Sequence, residues 1–429
     1  MAERANVLLA GSGAREHAMA VELAKSPLVG EIFIAPGNAG TAQVGTNVPV
    51  DATDIPRLVS SAKDHNVSLA TAGSENTLVL GFVDSMKEAG IDAYGTDQKQ
   101  TRLETDKIYS QKLMEACGIP CPAGVGAENY EEALAFLENP PWDFVIKAAG
   151  PCGGKGVELP KNIEEARRIV YQFMVEGKHE DAGKRILFQK REHGPETSLI
   201  AFVSGETIVG MPLTTDYKLK NTGNSGPNTG GMGCIIDLGA RAPKDWIDRY
   251  MRPAVEHLAR IGEPLNTKLY AQLIHTSEGI KVLEFNARGG DPETQTQYRL
   301  LRPEVDYYKV LRKSLDGKLN PDDIVFDYQK AASCLVLAAE GYPEDPVKGD
   351  RIRGLESRLE EGVVLFHAGT KFDKNGNVIT GGGRVLNITA TGNSLPEAVA
   401  KMYREVDKRE IEFRGMWNRE DIGVIYGNN

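Results

Sequence analysis

Through the first hundred residues, short apolar runs at 7–10, 32–35, 69–72 and 91–94 alternate with segments of helical periodicity at 18–23, 55–64 and 79–89. Runs of that length bounded by Gly, Pro and Asn read as strands, and their alternation with helices predicts a parallel sheet covered by helices. Such sheets bind ligands at the carboxyl ends of their strands. Gly11-Ser12-Gly13 through His17, the Pro36-Gly37-Asn38-Ala39-Gly40 turn and Gly73-Ser74-Glu75 fall there. From about residue 105 the pattern turns to mixed α+β, with a helix through Leu113, a break at Ile119-Pro120-Cys121-Pro122, strands at 144–147 and 185–188 and a helix at 163–175. Residues 221–233 are too rich in Gly, Asn and Thr to pack as an element and are expected to form one long loop. An apolar strand ends at Asn286. Beyond it, strands at 331–339, 363–366 and 384–389 and a helix at 396–406 predict a last β-rich unit, and no internal repeat is present.

With 429 residues the chain exceeds one core, and at roughly 150 residues per domain it holds about three. Its 41% apolar and 26% charged residues are ordinary for a globular protein, and a formal charge of -10 argues against a nucleic-acid surface. Positive charge for handling anions must therefore be gathered locally. Cys117, Cys121, Cys152, Cys234 and Cys334 have no metal-ligand spacing, which fits a reducing cytoplasm. No run approaches the roughly 18 apolar residues of a membrane span, so neither export nor membrane insertion is expected.

The densest chemistry lies in Val282-Leu283-Glu284-Phe285-Asn286-Ala287-Arg288-Gly289-Gly290-Asp291-Pro292-Glu293. On a strand, Glu284 and Asn286 share one face while Leu283 and Phe285 turn to the core. Oxygen ligands at that spacing suit Mg²⁺, or equally Mn²⁺, bridging nucleotide phosphates. A solvated strand end with a Gly-Gly-Asp-Pro turn is the plainer alternative. Gly11-x-Gly13 opens a helix whose N-terminal amides favour an anion. Glu16 stands where a dinucleotide fingerprint has its third glycine, so a single phosphate with Arg15 as fork donor is the better reading, a simple tight turn the other. The loop from Gly150 to Gly156 lacks the Gly-Lys-Ser/Thr ending of a P-loop and reads as a flap whose amides and Lys155 cover phosphates. Lys147 and Lys107 add cations, although any one lysine alone is equally a surface charge. Residues 226–233 offer free amides that would close over a reacting intermediate or form a linker. Trp142, Trp246, Trp417, Cys117, Cys334 and His275 read as structural, and no Ser-His-Asp or Cys-His constellation is present in the sequence pattern.

Eight motifs then run in order along nearly the whole chain: Arg15-Glu16-His17, the Ala35 to Thr41 turn, Gly153-Gly154-Lys155-Gly156-Val157, the Pro227 to Gly233 loop, Glu284-Phe285-Asn286, Gly290-Asp291-Pro292-Glu293-Thr294-Gln295, Phe366-His367-Ala368-Gly369-Thr370 and Gly382-Gly383-Arg384-Val385. Together they make the chain resemble the phosphoribosylamine-glycine ligases, an ATP-grasp family. The resemblance implies an α/β protein: an N-terminal parallel-sheet (pre-ATP-grasp) domain at 1–104, a central ATP-grasp domain at 105–124 and 196–330, a mobile α+β lid at 125–195, and a β-rich C-terminal domain at 331–429 packed on the first two. It implies that ATP activates the carboxylate of glycine as an acyl phosphate, which the amine of 5-phosphoribosylamine attacks. By the same resemblance Lys107, Lys147, Gly153, Gly154, Lys155, Gln189 and Glu196 would bind ATP, and Glu284 and Asn286 the metal. Gly13, Arg15, Glu16, Asn38, Gly40, Thr41, Glu75, Asp216, Asn228, Thr229, Gly230, Arg288, Asp291 and Glu293 would line the substrates. Lys155, Arg288 and Asp216 would carry catalysis, Asp216 holding the amino group of the amino acid. Small molecules are the expected partners, without nucleic acid or membrane, for a monomer or weak homo-oligomer.

The family pattern is broken at Ala14, where a glycine is usual, and at Ser74-Glu75-Asn76-Thr77, where Pro-Glu-x-Pro is usual. Tyr217 and Leu219 replace a histidine and an arginine, Gln189-Lys190 an acidic pair, and Gly289 an aromatic residue. These departures keep open a related ligase with another amine or amino acid. Gln189 alone points to a non-catalytic nucleotide-binding regulator.

Overall fold

The computed structural model describes residues 4–152 and 156–425. Its N-terminal sheet is wholly parallel, with Ala5–Gly11 at the centre between Val29–Pro36 and Val67–Ala72, and Thr46–Asn47 and Asp92–Tyr94 at the edges. Val7, Leu8, Leu9 and Ala10 are fully buried because both faces are covered, which is why the run is continuously apolar. The helix expected at 79–89 is two helices, Glu75–Val79 and Phe82–Glu88. Gly81 between them takes φ of 80°, a left-handed conformation that ends one helix and starts the next.

The central sheet is antiparallel, in the order Thr207–Gly210, Glu196–Ser204, Asn266–Thr276, Gly279–Asn286. Leu199, Ala201, Leu269, Ala271 and Phe285 turn one face onto the helices Lys244–Tyr250 and Arg252–Arg260. The alternating positions Ser198, Lys268, Tyr270, Gln272, Glu284 and Asn286 are left on the other face. Register is not regular throughout. Leu273 pairs with Val282 but Gln272 with Glu284, so Leu283 is an extra, bulged residue. The core therefore receives Val282 and Phe285, three positions apart, and not Leu283 as strict alternation predicts.

A small antiparallel sheet, Gly124–Ala127, Ile186–Lys190, Phe144–Ala148 and Val157–Glu158, carries the helices Tyr130–Glu138 and Ile163–Met174. It has its own core, in which Phe136 stacks on Phe188 at 4.2 Å between ring centroids. The last sheet, Thr215–Asp216, Gly233–Ile236, Ala331–Ala338, Arg384–Gly392 and Val363–His367, takes two strands from before residue 330. That pairing ties Asp216 to the C-terminal part of the chain.

The stretch expected to be one loop at 221–233 contains a hairpin instead: Leu219–Asn221 pairs antiparallel with Ser225–Asn228. Gly223 and Asn224 supply left-handed turn residues at φ of 81° and 50°. The hairpin is exposed along residues 221–228, so it needs no apolar alternation and leaves no periodic signal in the sequence.

Candidate active site

The free face of the central sheet gathers charge. Lys147 is 7% exposed on its strand, and Lys107, at the start of the helix Lys107–Ala116, donates from Nζ to the carbonyl of Gly150 at 3.1 Å. Burial pulls the Lys147 ammonium below its ordinary range, opposed chiefly by Glu284. Burial in turn works to raise Glu284, but Lys147, Lys218, Lys107 and Arg288 outweigh it and hold the carboxyl low, hence ionised at neutral pH. Lys218 is a cation that sequence reasoning missed, since nothing marks a lysine between Tyr217 and Leu219. Its Nζ lies 3.3 Å from Glu196 and 3.7 Å from Asp216. Burial opposes its charge, yet Asp216, Glu196, Glu284 and Glu293 keep it firmly protonated. The expected ATP ligands Gly153, Gly154 and Lys155 lie outside the described residues.

Gln189 is committed elsewhere. It is 1% exposed, and its Nε2 donates to Gln111 Oε1 at 3.0 Å and to the carbonyl of Leu283 at 3.2 Å. The side chain thus ties the small sheet to the bulge beside Glu284. Asp216, with its side chain 4% exposed, is pushed up to about 7 by burial, with Lys218 opposing. Across from it the Tyr270 hydroxyl lies 2.8 Å from Ser198 Oγ and 2.9 Å from Glu293 Oε1. His275, read as structural, pairs its Nε2 with Thr197 Oγ1 at 3.0 Å.

Arg288 sits where the N-terminal and central sheets meet. Its guanidinium reaches Glu75 at 3.2 Å and Glu104, also missed in the sequence, at 2.8 Å. Arg288 drives the Glu75 carboxyl down to about 2, and the two carboxylates hold the guanidinium protonated against burial. Arg15 donates from its second nitrogen to the carbonyl of Gly289 at 2.9 Å, and its Nε pairs with Glu16 at 2.8 Å. Glu16 Oε2 in turn accepts from the Gly13 amide at 2.8 Å. Glu16 thus caps the Gly13 amide at the start of the first helix while also holding Arg15, so the loop is braced by the chain's own carboxylate.

Asn38, Gly40 and Thr41 are likewise builders of their loop. Asn38 is 3% exposed, donates to the carbonyls of Ser12 and His367 at 2.9 Å each, and accepts from the amides of Gly40 and Thr41. Thr41 is fully buried, and a Cβ on Gly40 would meet the His17 ring at 2.3 Å. Asn228 is exposed at the hairpin end, and Thr229 donates from Oγ1 to the carbonyl of Lys218 at 2.8 Å. Arg384 reaches across from the C-terminal sheet, donating to the carbonyls of Gly230 and Asp291 and pairing with the Asp291 carboxylate at 2.9 Å. The Gly382-Gly383-Arg384 motif was the signal for it. Gly289 also has a physical reason. A Cβ there would lie 2.5 Å from Thr294 Oγ1 and 3.2 Å from the Lys268 side chain, which is buried under Phe202, Tyr298 and Tyr307. Burial, with Arg15 nearby, lowers the Lys268 amine to about 7.

Glu284 and Asn286 share a face with no irregularity between them. Among the described residues no group of three or more His, Cys, Asp or Glu side chains would hold a metal by itself. The protein's share is one ionised carboxylate and one amide oxygen, a donor set that fits a hard divalent cation whose shell is completed by phosphates and water.

Three family models match consecutive segments of the chain: the phosphoribosylglycinamide synthetase N domain at 5–104, its ATP-grasp (A) domain at 105–294 and its C domain at 332–425. The phosphoribosylamine–glycine ligase of Rhodopirellula baltica is 38% identical over 429 residues, covering 97% of each chain. That of Caldanaerobacter subterraneus is 37% identical over 423 residues, covering 98% of this chain and 100% of its own. The crystal structure of the phosphoribosylamine–glycine ligase of Thermotoga maritima has a TM-score of 0.83 at 29% identity, over 97% of this chain and 100% of that one. The biotin carboxylase domain of a Hydrogenobacter thermophilus carboxylase, at 18% identity and a TM-score of 0.75 over 97% of this chain and 92% of its own, shares the fold. A match along all three domains, on a sheet face where lysines converge on Glu284, places the chain in the phosphoribosylglycinamide synthetase family, the ATP-grasp ligases that join glycine to phosphoribosylamine.

Proposed function

We infer that the protein is the ATP-dependent ligase of purine biosynthesis that joins glycine to 5-phosphoribosylamine, giving glycinamide ribonucleotide, ADP and phosphate. One carboxylate oxygen of glycine takes the γ-phosphoryl group of ATP and ADP leaves. The amine of phosphoribosylamine then adds to the acyl carbon, loses a proton, and expels phosphate. Lys107 and Lys147 neutralise phosphate charge, and Lys155 is proposed to join them. Glu284 and Asn286 would hold the divalent cation, Mg²⁺ or Mn²⁺, which when bound supplies Lewis-acid charge stabilisation at the phosphates. Asp216 receives the ammonium of glycine in its ionised form, which Lys218 favours against the burial that raises that carboxyl to about 7. Arg288, fixed by Glu75 and Glu104, lines the acceptor side together with Asp291 and Glu293. Catalysis is positioning and electrostatics, with no protein nucleophile.

The observation that carries this reading is the convergence of Lys107, Lys147 and Lys218 on Glu284, next to the Arg288 group at the domain junction. The division at 1–104, 105–124 with 196–330, 125–195 and 331–429, the cytoplasmic location and a monomeric or weakly associating state belong to the same proposal. No described helix is long and apolar enough to cross a membrane. ADP release from purified protein with ATP, glycine and freshly generated phosphoribosylamine tests it. The expected result is release that requires all three substrates; folded, ATP-binding protein without glycine-dependent release would sink the reading.

A further inference from the structure

Gln272 lies within the strand Asn266–Thr276, with Ser198 opposite it on one neighbouring strand and Glu284 opposite it on the other. It is 1% exposed. Its carboxamide oxygen is within hydrogen-bonding distance of the Tyr270 hydroxyl, at 2.5 Å, which fixes the side chain between Tyr270 and the Glu284 strand. Its Nε2 is buried and has no partner among the described residues. Buried side-chain donors are normally satisfied, so one left open on a reactive face calls for an acceptor that arrives later. Several other buried polar atoms lack partners, but Gln272 Nε2 is the one carried by the strand pair bearing Glu284 and Asn286.

The charges around it narrow the acceptor. Asp216, Glu196, Glu284 and Glu293 all act on Lys218, and Asp216 and Glu293 both act on Tyr270. Asp216 is the group suited to an ammonium, and Glu284 marks the phosphoryl-transfer end. An α-amino acid spanning those two ends must bring its carboxylate between them, over the strand position that Gln272 occupies. We propose that Gln272 is a specificity-determining residue for the carboxylate substrate: its Nε2 donates to the carboxyl oxygen that is not phosphorylated. The same donor meets that oxygen as it gains negative charge when the amine adds to the acyl carbon. This rests on the ligase reading above and adds a residue to it.

The test uses Gln272→Met, close in size but without a donor, and Gln272→Glu, which keeps an oxygen for Tyr270 but sets a negative charge against the substrate. Initial rates are measured with glycine and ATP varied separately. Glycine binding in the presence of a non-hydrolysable ATP analogue is measured by calorimetry. The Michaelis constant for glycine should rise about 10- to 100-fold in Gln272→Met, with a matching loss of glycine affinity, and further in Gln272→Glu. The Michaelis constant for ATP and the thermal midpoint should stay near those of the wild type. A merely structural glutamine would move ATP and glycine constants together, and that result overturns the proposal. So does an unchanged glycine constant, which is what an ordered water on Nε2 would give. If Gln272→Met lowers the thermal midpoint, Gln272→Glu carries the comparison. Wild-type protein that ignores glycine but consumes another amino acid would refute the glycine assignment alone. The variants are then assayed with that acid, and an unchanged constant for it overturns the Gln272 role.

Discussion

Replacing Arg288 with methionine removes the cation shared by Glu75 and Glu104 and leaves two carboxylates facing each other at the junction of the N-terminal and central sheets. The magnitude follows from Glu75, whose carboxyl falls from 4.5 to about 2, chiefly through Arg288. That fall, at 1.36 kcal/mol per tenfold change in proton affinity, bounds the Arg288 contribution at about 3 kcal/mol, the lower end of the roughly 3–5 kcal/mol expected for breaking a buried pair. The Glu75 side chain is 28% exposed, so most of that energy survives solvent screening. A depressed carboxylate contributes stability that is complete above its unfolded value and lost as pH falls through its folded one. The Glu75 contribution is therefore complete above about pH 4.5 and disappears towards pH 2. Urea unfolding at pH 7.5 is the assay. With a slope of about 3 kcal/mol per M, the first transition of Arg288→Met should fall by about 1 M. Adding Glu75→Gln should recover at least about 1 kcal/mol, because the replaced carboxylate no longer repels Glu104. Equal stability of the single and double variants, or losses that simply add, would refute the coupling.

Asp216 is raised to about 7 by burial, so kcat/KM for glycine should fall as pH drops below about 7, where the carboxyl takes up a proton. Asp216→Asn should abolish that limb at a low plateau and Lys218→Met should move it to higher pH; a pH profile identical in all three proteins would refute the assignment. Glu284→Gln should weaken binding of Mn²⁺ with ATP at least about 10-fold by electron paramagnetic resonance and cost about 100-fold or more in turnover, and full metal-dependent activity would show the cation to sit elsewhere. Arg419 is fully buried, pairs with Asp421 at 2.6 Å and donates to the carbonyl of Leu219 at 2.8 Å. Arg419→Met should cost about 3–5 kcal/mol and open the hairpin at 219–228 to proteolysis, and a hairpin as resistant as in the wild type would count against this clasp.

Much of the geometry around Glu284 was legible because its signals are local. Period-two alternation puts Glu284 and Asn286 on one face whatever the rest of the chain does, and a lysine on a short strand, Lys147, stands out. The same rule failed at Leu283, since a bulge depends on the partner strand and has no signature in the bulged strand itself. The hairpin inside 221–233 was missed for a related reason: a solvent-exposed pair has no apolar face to reveal it. Asn38 and Glu16 stood out as polar residues beside glycine turns, and only the fold shows that they also brace those turns, Asn38 accepting from the amides of Gly40 and Thr41 and Glu16 from that of Gly13.

The sequence by itself determined the parallel N-terminal sheet, the oxygen-donor strand and the family to which its ordered motifs belong. Those rest on interactions within about a dozen residues, where backbone geometry fixes side-chain direction. Only the tertiary structure decided how charges pair across the site. Arg288 meets Glu75 at 213 residues' separation, Arg384 meets Asp291 at 93, and Arg419 reaches Leu219 at 200. Lys218, in the midst of four carboxylates, acquires its role from strands that pair only in the folded chain. Distances of that kind have no periodicity to read, because which distant segments meet is set by the packing of whole sheets.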